Sequence, residues 1–136
     1  MVQTEQPQRI STEGEPWAQN CISSGFRVGD LIVTAGQVAV DENGEVIGAG
    51  DFDAQIDHVF KRLDEILTSA GASLNDVIKT NIYVTDVGNL SKVIDCRRKY
   101  FTAPYPASTL VGVKELVFPD LMVEIEVIAV APNEAR

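Results

Sequence analysis

The sequence predicts an α+β domain: a two-layer sandwich in which a mixed sheet of about six strands carries two helices on one face. Three observations predict it. Residues 53–70 hold a sustained helical period. Several short stretches alternate, or run apolar, as strands do. The length of 136 residues is that of one domain.

The elements follow in order. Residues 1–15, with Pro7, Gly14 and many Gln, Thr and Glu, read as a flexible N-terminal segment. Residues 16–131 read as the single domain and 132–136 as a short tail. Within the domain, 22–28 and 31–40 read as two strands around the tight Gly29-Asp30 connection. Asn43-Gly44 marks the next turn, and Glu45-Val46-Ile47 a short return strand. In 53–70, Ile56, Val59, Phe60, Leu63, Ile66, Leu67 and Ala70 fall on one stripe, with Asp51 and Asp53 before it and Gly71 after it. Ser73-Leu74-Asn75-Asp76 reads as a capped turn. Residues 77–84 read as a strand and 89–101 as a helix with Leu90, Val93, Ile94 and Phe101 on its apolar stripe. Strands over 107–113 and 121–131 complete the order β-β-β-α-β-α-β-β. The sheet face away from the helices also carries apolar residues, so self-association is expected to cover it.

Composition narrows the function. The net charge of −9 opposes a polyanion, so neither nucleic acid nor an anionic membrane surface is the expected partner. No apolar run approaches the ~20 residues of a membrane span. Cys21 and Cys96 are far apart, no CxxC pair exists and His58 is the single histidine, so neither a disulfide scaffold nor a metal site is expected. The polar N-terminus lacks a secretory pattern, and a cytoplasmic location follows as the default. Phosphate-binding, dinucleotide-binding, nucleophile-elbow and zinc-protease motifs are missing.

Three features remain. His58, among charged neighbours in mid-helix, reads as a solvated surface residue, and a dyad with Cys96 lacks any group to orient it. Glu124 and Glu126 alternate along one strand, so they share a face ~7 Å apart with Met122, Ile128 and Val130. A carboxylate among apolar groups has a raised pKa unless paired; a polar sheet edge is the plainer alternative. Arg97 lies on the apolar stripe of the second helix, where a guanidinium must snorkel, pair with a carboxylate or reach a pocket.

Several stretches, in order over about 16–131, resemble the RidA/YjgF family of reactive-intermediate (enamine/imine) deaminases. They are Arg27-Val28-Gly29-Asp30-Leu31-Ile32-Val33-Thr34-Ala35-Gly36-Gln37, Ala70-Gly71-Ala72-Ser73-Leu74, Asp76-Val77-Ile78-Lys79-Thr80, Tyr83-Val84-Thr85-Asp86, Pro104-Tyr105-Pro106-Ala107 and Val123-Glu124-Ile125-Glu126-Val127-Ile128-Ala129-Val130. The resemblance implies a chorismate-mutase-like fold, a homotrimer with small-molecule sites in clefts between subunits, and cofactor-free, metal-free hydrolysis of imino or enamino acids to oxo acids and ammonia. It implies that Glu124 positions water, that Trp17 lines the cleft and that the segment around Gly36 supplies backbone contacts.

The chain departs from the family at four polar positions. The family's Pro-Ala-Arg-Ser run, whose arginine grips the substrate carboxylate, is Pro106-Ala107-Ser108-Thr109 here. Losing such a bidentate contact is worth ~2–4 kcal/mol, roughly 30- to 1000-fold in affinity. Leu110, Ile94 and Ala35 stand where the family has cysteine, asparagine and serine. The expected activity is therefore hydrolytic deamination of an enamine or imine other than a simple 2-imino acid, with Ser108 and Thr109 as hydrogen-bond donors; alternatively, Arg97, from the helix of Ile94, supplies the missing cation. A non-catalytic small-molecule-binding or chaperone-like trimer is the alternative. An endoribonuclease or translation inhibitor, described for some relatives, ranks last on charge.

Overall fold

The computed structural model describes residues 5–133. One six-stranded sheet is built from β1 (Gln8–Ile10), β2 (Gly25–Val28), β3 (Leu31–Thr34), β4 (Val77–Val84), β5 (Ala107–Gly112) and β6 (Val123–Val130), in the spatial order β1-β2-β3-β6-β4-β5. All neighbours are antiparallel except β4 and β5. Helices α1 (Phe52–Ser69) and α2 (Leu90–Tyr100) supply the crossovers that parallel strands require. The α+β sandwich with a mixed sheet and two helices is thus as expected.

The last strand in the sequence sits inside the sheet, and its alternation organises the layers. Val123, Ile125, Val127 and Ala129 are buried beneath the helices, while Glu124, Glu126 and Ile128 are only half-buried on the other face. The α1 stripe completes the core: Ile56, Val59, Phe60, Leu63, Ile66 and Leu67 are inaccessible to solvent. Each such side chain contributes ~1.5–3 kcal/mol on burial. Asp51 caps the helix by accepting from the Ala54 N–H at 3.0 Å, and Gly71 (φ +84°) turns the chain away beyond its C-terminus. Ser73 and Asp76 form the expected capping box.

Three elements differ from expectation. The strand over 31–40 stops at Thr34, because one extra residue enters before Gln37 pairs with Ile125. Residues 45–47 form no strand; they make a single bridge, Val40 to Val46, around the Asn43-Gly44 turn. The third N-terminal strand is instead β1, inside the segment read as a flexible lead-in. Its pairing with β2 and the burial of Ile10 tie it to the core. The element order therefore matches although one strand was misplaced. Of the 132–136 tail, residues 134–136 lie outside the described residues, as do 1–4 of the lead-in.

On α2, Leu90 is exposed but Val93 is buried and Tyr100 stacks on Phe60 of α1 with ring centroids 4.7 Å apart; polar contacts with α1 add to this packing. Asp57 of α1 accepts hydrogen bonds from the Tyr100 hydroxyl and from Lys99 (2.9 Å), and pairs with Lys61 at 3.0 Å. The Tyr100 hydroxyl, then the lysines, hold its carboxyl well below the usual carboxylate range. A depressed native pKa stabilises the fold above the unfolded value of 3.8, and that stability is lost as pH falls through the native pKa. Asp57→Asn is expected to cost ~1–3 kcal/mol in urea denaturation at pH 7. The difference from wild type should shrink once the pH drops below 3.8.

Candidate active site

The interruption between β3 and β6 builds the site. Leu31, Ile32 and Val33 face Val130, Ala129 and Ile128 in register, then four steps along one strand match three along the other before Gln37 meets Ile125. This is a β-bulge, a device that re-aims side chains. Thr34 Oγ1 accepts from the Val127 N–H at 3.1 Å, and Gln37 exchanges both backbone hydrogen bonds with Ile125. Gly36 is thereby laid under the Glu124 side chain. A Cβ at Gly36 would stand 2.2 Å from Glu124 Oε2, so only glycine lets the carboxylate lie where it does.

A cleft of about 420 Å³ opens above this contact, lined by Trp17, Ile22, Gly36, Val38, Val117 and Glu124. Its walls are mostly apolar. Trp17 stacks on Phe118 with ring centroids 6.0 Å apart, and both rest on the cluster of Val38, Ala39, Val40 and Leu121. Gln55, fully buried on α1, fixes the approach to β6: its amide donates to the Asp120 carbonyl at 2.8 Å, and its Oε1 accepts from the Met122 N–H at 2.8 Å.

The Glu124 carboxylate has no hydrogen-bond donor among the described residues. Burial, and then the negative charge of Glu126, hold its carboxyl above the usual carboxylate value. Its neighbour differs: Glu126 accepts from the Tyr83 hydroxyl at 2.6 Å, and that bond raises the phenol's pKa. One carboxylate is anchored and the other is free to hold a water or a cationic group.

Trp17, Gly36 and Glu124 are thus brought together, and Ser108, Thr109 and Arg97 are not. Ser108 pairs with Thr80, a core-face residue opposite Val127, whereas Glu124 pairs with Tyr83 on the open face. Within one chain the sheet stands between Glu124 and Ser108. Thr109 is on the open face, opposite Asn81, and accepts from Lys79 Nζ at 2.7 Å. Arg97 reaches Ser108, its Nη2 donating to Oγ at 2.9 Å. His58 is not the solvated residue expected: it is half-buried, with Nε2 2.9 Å from the Val40 carbonyl oxygen. A second hollow of about 410 Å³ includes Arg9 and Arg27, but both are bound internally, Arg27 to the Gly29 and Ala70 carbonyls and Arg9 to Glu15. Sequence reasoning missed Val117 in the cleft wall, Phe118 behind Trp17 and Tyr83 on Glu126; an aromatic or valine in a strand or loop carries no mark of what it packs against.

The chain resembles known proteins over nearly its whole length. The family model described as Endoribonuclease L-PSP matches residues 12–131. A RutC family protein of Pyrococcus abyssi is 37% identical over 121 residues, spanning 88% of this chain and 94% of that one. The 2-iminobutanoate/2-iminopropanoate deaminase of Escherichia coli K12 is 34% identical over 125 residues, 89% of this chain and 95% of its own. Among solved structures, RidA from an Antarctic Psychrobacter superposes with a TM-score of 0.82 at 33% identity, covering 90% of this chain and 98% of that one.

Two outcomes follow from the Gly36–Glu124 contact. Because the carboxylate can swing aside, Gly36→Ala should change stability by less than about 1 kcal/mol. It should drive Glu124 into solvent, so that its pKa, read by NMR of the labelled carboxyl, falls back toward 4.5. A raised native pKa means that ionisation of Glu124 opposes folding as pH rises above 4.5. Glu124→Gln should therefore raise the thermal midpoint at neutral pH, with the gain vanishing below 4.5.

Proposed function

The chain belongs to the RidA/YjgF family, and from that premise we propose that it is a cofactor-free hydrolytic deaminase of a reactive enamine or imine. The observation that carries this reading is the Glu124 carboxylate: half-buried, without a donor, and held on Gly36 at the floor of an apolar cleft. An iminium carbon placed in the cleft is electrophilic, and the carboxylate stabilises its charge. Glu124 accepts a proton from water as the water oxygen bonds to that carbon. It then returns the proton to the nitrogen, and as the C–N bond breaks it takes up the hydroxyl proton, so that a carbonyl compound leaves and ammonia carries that proton away as ammonium. Trp17 and Phe118 limit solvent on one side.

The substrate is an enamine or imine other than a simple 2-imino acid. The cleft lining contains no cation, and Ser108 stands where the family places its carboxylate-binding arginine. The site is completed between subunits of a homotrimer. The open sheet face supports this, since Phe26, Val28, Leu31, Val33, Val111 and Val130 remain 36–42% exposed in the single chain. On this reading Thr109 from the open face and Ser108 from the helix side flank the exposed β5 edge, each offering a hydroxyl to a ligand held mainly by a neighbouring copy. A non-catalytic small-molecule-binding or chaperone-like trimer is the second reading, favoured by the apolar lining. An endoribonuclease role ranks last, because an acidic chain repels RNA.

Ammonia release from imines generated in situ by amino-acid oxidation tests the proposal. Wild-type protein should accelerate release for at least one apolar imine, and Glu124→Gln should lower kcat ~10²- to 10⁴-fold. Ligand-dependent thermal stabilisation without turnover of any imine would instead favour the binding module. The rate should fall on the acid side with an apparent pKa above 4.5, and Glu126→Gln should move that limb to lower pH by removing the neighbouring charge. Light scattering should return three times the chain mass.

A further inference from the structure

Charge pairing singles out one edge of the sheet. Among the described residues, seven lysines and arginines have a carboxylate oxygen within 4.0 Å: Arg9, Arg27, Lys61, Arg62, Lys92, Arg98 and Lys99. Lys79, Arg97 and Lys114 do not. In a chain with 20 acidic residues against 11 basic ones, a cation without an acid is the exception. All three exceptions lie beside β5: Arg97 of α2 binds Ser108, Lys79 of β4 binds Thr109, and Lys114 follows the strand's end at Gly112.

Arg97 is the most specific of them. It is half-buried, its Nε is shut away from solvent with no acceptor, and Nη2 donates to Ser108 Oγ. Thr80 Oγ1 donates to the same oxygen at 2.8 Å. With both Ser108 lone pairs engaged, its own hydroxyl proton is left to donate outward. Arg97 Nη1 likewise has no acceptor among the described residues. A guanidinium edge and a serine hydroxyl, side by side on an exposed edge strand, match the planar, singly charged fork of a carboxylate. We propose that Arg97 and Ser108 form a binding site for a small organic carboxylate on the helix side of β5. The positive charge comes from α2 rather than from the strand position where the family carries its arginine. The sheet separates this site from Glu124 of the same chain, so a substrate touching both would bridge two copies and carry its carboxylate away from the imine carbon rather than beside it as in a 2-imino acid; that last step alone rests on the deaminase reading.

The test reads binding rather than turnover. Propanoate is titrated into the full-length protein, with the Ser108 amide and the Arg97 guanidinium followed by NMR and propanamide as the neutral control. Propanoate, and not propanamide, should shift these signals. Arg97→Gln should weaken binding ~10-fold or more and Arg97→Lys by less, with the thermal midpoints reporting that both variants fold. Equal propanoate affinity in wild type and Arg97→Gln would overturn the site. Tighter binding of inorganic phosphate than of propanoate would overturn its carboxylate class. No propanoate binding in wild type, together with a changed assembly mass in Arg97→Gln, would assign the guanidinium to a neighbouring subunit instead. Propanoate shifts in wild-type protein that turns over no imine would leave this site standing without the deaminase reading, and imine turnover in a protein that gives no propanoate shifts would leave that reading standing without this site.

Discussion

The placement of β6 between β3 and β4 is the constraint on which the rest depends. A strand flanked on both sides must satisfy its backbone on both edges, and its side chains must alternate between two faces. In Val123–Val130 that alternation sends four apolar residues into the core and sets two glutamates on the opposite face. No local rearrangement can bury the glutamates or free the valines without a one-residue slip that would reverse every side chain. The acidic pair is thus fixed by the same register that fixes the core. The buried Gln55 amide secures it from one end, and the Thr34 hydroxyl secures it beside the bulge.

Two carboxylates on one face of one strand end up in different surroundings because their neighbours differ. Tyr83 lies directly across from Glu124 in the backbone register, yet its hydroxyl reaches along the strand to Glu126. Across the other edge, the bulge removes any side chain from Gly36 and leaves Glu124 only an apolar wall. Partial burial without a donor favours the protonated form, and the nearby Glu126 charge adds to it. An ordinary antiparallel continuation of β3 would have brought a different residue opposite Glu124 and with it a different environment. The irregularity in the sheet is therefore what separates the two acids chemically.

Much of this was legible in the sequence, for reasons that can be named. Helix α1 shows because its apolar positions recur over an 18-residue element with an aspartate cap; β4 shows because its limits coincide with alternation bounded by a capped turn and a polar loop. The face shared by Glu124 and Glu126 follows from period two alone. What did not show was pairing. Nothing local in Gln8-Arg9-Ile10 distinguishes an edge strand from a lead-in, since its burial comes from β2 and the core. Nor does local pattern reveal that residues 31–40 divide at a bulge, because the apolar run continues past Thr34 into a second cluster around Val38 and Val40. Arg97 was visible as an anomaly on its stripe, but its contact with Ser108 depends on how α2 lies over β5.

That contact depends on what the strand leaves open. Ser108 is small and carries no charge, and the edge it leaves free is where the Arg97 side chain arrives from the helix. With an arginine at position 108 as well, two guanidiniums would crowd one edge with no described carboxylate to separate them, and each would raise the cost of the other. Ile94, one helical turn before Arg97, is apolar and offers the guanidinium no competing acceptor. Positions 94 and 108 are thus physically coupled through Arg97: the side chain's only described hydrogen bond lies at the strand, because its own helix offers it nothing stronger.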